Sequence, residues 1–153
     1  MAYKITFTNF TKTNWVRSVN GSLTDAVFQN LTVSPGPTLK ATGGTEAIGA
    51  DQSALSFVAS GNIDLHCCWK DPASGLRFGV QIWVPVQVLG IGKAPYWFVM
   101  CDNAGVNDGP NWISSGDDPS YMYTFSGTPG YKITARPTAS HSSLEIQVNI
   151  EAA

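Results

Sequence analysis

The strongest structural signal in the chain is the segment FGVQIWVPVQV at residues 78–88. Apolar side chains fill every second position from Phe78 to Val88, and a period of two is typical of a β-strand with one face in a core. Pro85 occupies the opposite phase. Because proline lacks a backbone donor, it predicts that this strand lies at a sheet edge or carries a bulge.

The same alternation continues toward both ends of the chain. Tyr3, Ile5 and Phe7 alternate with polar residues near the start. Further strands are predicted at 63–69, 121–125, 130–136 and 143–150. Turn residues separate them, and no helical period of useful length occurs. The pattern therefore predicts an all-β fold, a single-domain antiparallel β-sandwich of about nine strands over residues 1–153.

The chain carries unusually little charge. Charged residues make up 13% of it and the formal net charge is −2, whereas about a quarter is typical. A surface finished with uncharged polar residues repels other copies weakly, which favours association. The nine basic residues are scattered, and this excludes the clustered cations that nucleic acid requires.

No residue pattern indicates catalysis or a metal site. His66 lies in a predicted strand, His141 lies in a serine-rich turn, and the chain has no Gly-x-Ser-x-Gly motif. His66, Cys67 and Cys68 are consecutive, and consecutive strand residues diverge, whereas zinc needs convergent ligands. The Asp and Asn residues of segment 102–118 lack calcium-loop spacing and suit turns. We therefore predict a protein that is not an enzyme and that has no metal or cofactor.

The cysteines and the N-terminus indicate the compartment. The chain has an odd number of cysteines, namely Cys67, Cys68 and Cys101. Its opening residues, Met-Ala-Tyr-Lys, do not resemble a signal peptide. Reduced thiols are therefore expected, with one of the neighbouring pair in the core and the other open to solvent or a partner chain. We predict synthesis in the cytoplasm, and leave open whether the protein is then stored or released by a non-classical route.

Three stretches resemble the aegerolysin-like β-sandwich proteins, over roughly residues 3–90. They are a first strand that ends in Asn and a threonine-rich turn (5–11), a second strand (63–65), and an aromatic-x-Asp-Pro turn (69–75). The resemblance implies a sandwich without catalysis that binds membrane lipids, and some members form pores with a larger partner or act on insects. The family's Gly-Thr-x-Gly segment is missing here, unless Gly43-Gly44-Thr45 takes its place, and the stretch from Val84 to Asp118 is longer than in the family. These departures leave the lipid specificity open. The resemblance therefore implies a candidate surface site only at Trp69 and Asp71 to Gly75.

Aromatic residues near polar turns extend this candidate site. Trp112 lies in a predicted loop at 102–120, and aromatic side chains with a polar handle suit lipid headgroups and sugar faces. The leading hypothesis is a non-enzymatic membrane- or lipid-binding protein, cytolysin- or toxin-like, that exposes Trp69 and Trp112.

Two alternatives stay open. One is a self-assembling protein that forms crystals or inclusions, since low charge, long apolar strands and an odd cysteine favour association as a homo-oligomer. The other is a glycan-binding lectin in which Trp112, Tyr121 or Tyr123 stacks on sugar. The predicted partner is therefore a membrane lipid or a glycan, and not nucleic acid.

Overall fold

The computed structural model of the chain describes residues 2–18, 31–51, 54–56, 59–60, 63–84, 87–88, 96–102, 112–114, 121–125, 130–137 and 144–153. Within these ranges the regular structure is all β-strand. The strands are β1 (Ala2–Asn9), β2 (Trp15–Arg17), β3 (Leu31–Val33), β4 (Thr38–Leu39), β5 (Gly44–Asp51), β6 (Ala54–Ser56), β7 (Ala59–Ser60), β8 (Ile63–Lys70), β9 (Arg77–Val84), β10 (Gln87–Val88), β11 (Tyr96–Asp102), β12 (Trp112–Ser114), β13 (Tyr121–Phe125), β14 (Tyr131–Pro137) and β15 (Leu144–Ala152).

Two large sheets pack together as a sandwich, which confirms the predicted fold class. Among the described strands, the first sheet has the order β13-β14-β15-β1-β5-β3 and the second has the order β12-β11-β9-β8-β2-β4. A small third sheet contains β10, β7 and β6. The pairing departs from the predicted antiparallel pattern at β1 and β15, which run parallel from Tyr3 opposite Leu144 to Asn9 opposite Ile150. The first and last strands of the described chain are therefore neighbours.

The core lies between the inner faces of the two large sheets. Ile5 is paired with Ile146 on one side and Ile48 on the other, and all three side chains are buried. Leu65 and Val80 contribute from the second sheet. Full burial of an aliphatic side chain of this size stabilises the fold by about 1.5–3 kcal/mol. The period-two pattern in the sequence thus corresponds to a real core face.

The position of β9 corrects one of the two alternatives predicted from Pro85, that of an edge strand. β9 ends at Val84, directly before the proline, and lies inside the second sheet between β8 and β11 rather than at an edge. Gln87 and Val88 belong to the third sheet. Pro85 and Val86, where the predicted alternative of a bulge would lie, are outside the described residues.

The predicted loop at 102–120 contains a strand. Trp112 to Ser114 form β12, which pairs with β11 at one edge of the second sheet. The prediction of an unbroken loop is therefore wrong at these three residues, whereas 103–111 and 115–120, with most of the acidic residues discussed above, lie outside the described residues.

Candidate functional site

Trp69 lies in the core and not on the surface. Its side chain is 0% exposed. Its ring packs in an edge-to-face arrangement against the ring of Phe7, which lies on β1 of the first sheet, with the two ring centroids 5.8 Å apart. The Arg17 guanidinium lies 5.6 Å from the ring centroid, within cation–π range. The predicted exposure of Trp69 is wrong, because the residue shares the core-facing phase of β8 with Leu65 and Cys67.

Asp71 to Gly75 form the predicted turn, and Asp71 fastens it to the opposite sheet. Its buried carboxylate accepts hydrogen bonds from the Ala73 backbone N–H at 3.0 Å, the Ser74 hydroxyl at 2.7 Å and the Tyr131 hydroxyl at 2.9 Å. Gly75 has a φ of +77°, which glycine adopts without a Cβ penalty, and its N–H donates to the Asp71 carbonyl at 2.8 Å. Asp71 is thus a structural link between sheets, and its carboxylate is not open to a ligand.

The hydrogen bonds at this link shift two pKa values. Burial raises the pKa of the Asp71 carboxyl, but the bonds from Ser74, Tyr131 and Ala73 outweigh it, so the net pKa lies below the usual value. Burial and the bond to Asp71 raise the pKa of the Tyr131 hydroxyl to about 12. The pair is therefore held as a carboxylate and a neutral phenol over a broad range of pH.

The other aromatic candidates lie on different sheets. Trp112 is on β12 of the second sheet, where its backbone pairs with Met100. Tyr121 and Tyr123 are on β13, at an edge of the first sheet, and pair with Ala135 and Ile133. The side chains of Trp112, Tyr121 and Tyr123 lie outside the described residues, so their roles in lipid or sugar binding stay predictions.

The neighbouring cysteines are both closed to solvent. Cys67 faces the core, whereas the Cys68 sulfur lies on the other face of the strand, over Gly79. Burial raises the pKa of both thiols, and that of Cys68 reaches about 12. The expectation that one of the pair is open to solvent or a partner chain is wrong, because both faces of β8 are covered here. Any disulfide between copies would have to use Cys101, whose side chain is outside the described residues.

The surface aromatic that the structure does reveal is Phe10. It follows β1 directly, is 53% exposed, and is the one large hydrophobic side chain that is exposed among the described residues. Its N–H donates to the Ile150 carbonyl at 2.8 Å, so its backbone is fixed to the end of β15. The sequence offered no periodic signal for it, because it lies just beyond the strand.

A buried asparagine holds the loop that carries Phe10. The Asn9 side-chain oxygen accepts from the Thr11 N–H at 3.0 Å and the Thr11 hydroxyl at 2.7 Å. Its side-chain nitrogen donates to the carbonyls of Thr13 at 2.8 Å and Leu39 at 3.2 Å. Four hydrogen bonds to one buried amide fix the loop before any ligand arrives, so little ordering entropy remains to be lost on binding.

The turn at residues 40–43 lies beside this loop. The Thr42 N–H donates to the Thr11 carbonyl at 2.9 Å, and the Gly43 N–H donates to the Asn9 carbonyl at 2.7 Å. Thr42 has a φ of +59°, which is an outlier for a β-branched residue and marks stored strain. We call loop 10–14 and turn 40–43 together the Phe10 end. Lys12 and Lys40 are exposed there.

Comparisons with known proteins provide no family assignment. Neither a family model nor a curated protein matches the chain. The resemblance to the aegerolysin-like proteins therefore stays a prediction. In the described part of the chain no helical segment reaches the length and hydropathy of a membrane span. The same residues contain no cluster of His, Cys, Asp and Glu placed to hold a metal ion.

Proposed function

We propose that this protein attaches reversibly to membrane surfaces through the Phe10 end. The observation that supports the proposal is the exposed Phe10 ring on a loop fixed by the buried Asn9 amide. A single exposed apolar residue is ordinary on a protein surface. Here, however, the ring belongs to a preorganised loop, and the Phe10 end also carries two exposed lysines, Lys12 and Lys40, and the strained Thr42.

The magnitudes indicate weak binding. Burying the exposed half of Phe10 in an interface contributes about 1–1.5 kcal/mol. Each lysine near an anionic surface adds about 1 kcal/mol. The sum of about 3 kcal/mol falls short of the 4.1 kcal/mol or so that corresponds to a millimolar dissociation constant. One molecule alone therefore attaches transiently, with strong dependence on anionic lipid and on salt.

Vesicle flotation with and without phosphatidylserine tests the proposal. The Phe10→Ser variant is expected to lower the partition coefficient about five- to tenfold, because the apolar contribution is lost. Lys12→Gln is expected to lower it about fivefold, and only on vesicles that contain phosphatidylserine.

Lys4→Gln is the matched control for the lysine variant. Lys4 lies on the outer face of β1, away from the Phe10 end, and its loss should leave partition nearly unchanged. Equal partition of wild type, Phe10→Ser and Lys12→Gln would contradict the proposal, as would a wild type that does not associate with phosphatidylserine vesicles even at a high lipid concentration.

A further inference from the structure

The outer face of the first sheet contains a polar groove. It has a volume of about 290 Å³ and is lined by Lys132, Thr134, Arg136, Gln147, Asn149 and Glu151. These residues form three cross-strand pairs between β14 and β15, with Thr134 opposite Asn149 in the middle. The groove exists because this short middle pair lies between two pairs of longer side chains. Its volume, near the lower end of the range of about 300–1,000 Å³ for ligand sites, suits one small ring.

Only one of the two cationic side chains in the groove has an anionic residue opposite it on the neighbouring strand. Lys132 lies directly across from Glu151, whereas Arg136 lies across from the uncharged Gln147. The Gln147 side-chain nitrogen donates to the Thr8 hydroxyl at 3.2 Å and to the Asn149 side-chain oxygen at 3.1 Å. The first contact connects this amide to β1, and the second connects it to its neighbour on the same face of β15. One end of the groove thus presents a guanidinium that can bind an oxyanion in a bidentate manner.

The remaining lining groups suit hydroxyls. Thr134, Asn149 and Glu151 offer hydroxyl, amide and carboxylate groups at partly buried positions. Such groups can accept hydrogen bonds from sugar hydroxyls, and the hydroxyl and amide can also donate to them. An apolar ligand would leave these groups without hydrogen-bond partners. A nucleic acid strand does not fit, because two cations next to a carboxylate cannot neutralise a row of phosphates.

We propose that this groove binds a hydroxyl-rich ring that carries one anionic substituent, with the anion at Arg136 and the hydroxyls over Thr134, Asn149 and Glu151. A phosphorylated sugar and the inositol phosphate headgroup of a lipid share this chemistry. Phe10 does not line the groove, so ligand binding in the groove and membrane attachment through the Phe10 end can be tested separately.

NMR titration of the wild-type chain tests the site, with glucose 6-phosphate as the probe. Glucose and inorganic phosphate, the two parts of the probe, are titrated separately for comparison. Glucose 6-phosphate is expected to shift the backbone amides of β14 and β15 and to bind at least tenfold more tightly than either half. Arg136→Gln should weaken it about tenfold, which is about 1.4 kcal/mol, and Lys132→Gln should weaken it less because Glu151 opposes that lysine.

Lys4→Gln is again the matched control, since Lys4 lies on the same outer face two strands from β14, opposite Glu145. An equal loss in Lys4→Gln and Arg136→Gln would overturn the site, because it would indicate non-specific attraction. Inorganic phosphate that binds as tightly as glucose 6-phosphate would overturn it as well.

Vesicles separate the two sources of the ligand. Flotation that is stronger on phosphatidylinositol than on phosphatidylglycerol, with a difference between the two lipids that Arg136→Gln abolishes, supports a lipid headgroup. Equal flotation on both, together with glucose 6-phosphate binding, supports a free sugar ester. Phe10→Ser should leave glucose 6-phosphate binding intact, so a loss of flotation in that variant tests membrane attachment alone.

Discussion

Asp71→Ala is expected to lower the free energy of unfolding by about 3–5 kcal/mol. The carboxylate accepts three hydrogen bonds, and bonds to a charged acceptor are worth about 1.5–3 kcal/mol each, although they do not add fully. Its removal also leaves the buried Tyr131 hydroxyl without this acceptor. Urea unfolding followed by circular dichroism measures the change.

A double-mutant cycle that combines Asp71→Ala with Tyr131→Phe measures how much the hydrogen bond between the two sheets contributes to stability. A coupling energy of about 1–2 kcal/mol is expected for residues in direct contact. Asp51→Ala is the control, because Asp51 is exposed at the end of β5 and such surface changes stay within about 0.5 kcal/mol. A coupling energy near zero would show that the hydrogen bond between Asp71 and Tyr131 contributes nothing to the free energy of unfolding.

The same link predicts how stability depends on pH. The pKa of Asp71 is lower in the folded protein than its ordinary value of about 3.9, so its stabilisation is present above that value. It is lost as the pH falls through the folded pKa. The pKa of Tyr131 is raised to about 12, so its stabilisation is complete below about pH 10 and is lost as the pH rises toward the folded value. Both slopes should be reduced in the double mutant.

Trp69→Ala is expected to cost about 3–5 kcal/mol of stability, as large-to-small changes at buried aromatic sites do. The change removes the contact with Phe7 and the ring beneath Arg17. Trp69→Phe should cost less, because it keeps most of the ring volume and the indole N–H has no acceptor among the described residues. Urea unfolding checks both values.

Phe10→Ala is the matched control for Trp69, because it also truncates an aromatic side chain but at an exposed site. It should change stability by no more than about 0.5 kcal/mol while it lowers vesicle partition. Trp69→Phe, in contrast, should keep full partition at temperatures where it is folded. A Trp69→Ala variant as stable as the wild type would show that the ring is not part of the core.

The sequence predicted the core faces well and the neighbours of each strand poorly. Alternation in β1, β9 and β15 identifies which side chains are buried, since each strand has one dry face. It carries no information on which strands pair or in which direction, so the parallel neighbours β1 and β15 were not expected. The bond between Asp71 and Tyr131 joins residues 60 positions apart and has no local signature.

The candidate site was predicted less well, for reasons visible at two residues. Trp69 shares the phase of Leu65 and Cys67, so the alternation itself indicated burial, but the resemblance of the 69–75 turn to a surface site outweighed it. Phe10 lies outside any periodic segment, and its exposure depends on how the Asn9 amide folds the following loop. Only the tertiary structure shows the exposure of Phe10.

Attachment through the Phe10 end is tested most directly by a polarity-sensitive fluorophore placed on Phe10→Cys, with Asp51→Cys, at the exposed far end of β5, as the comparison site. Cys67 and Cys68 are buried thiols with raised pKa values and should not react, and Cys101 is replaced by serine in both proteins. With vesicles that contain phosphatidylserine, the emission of the fluorophore at position 10 should shift to the blue and that of the fluorophore at position 51 should not. Vesicle-bound protein that shows a shift at position 51 and none at position 10 would contradict attachment through the Phe10 end.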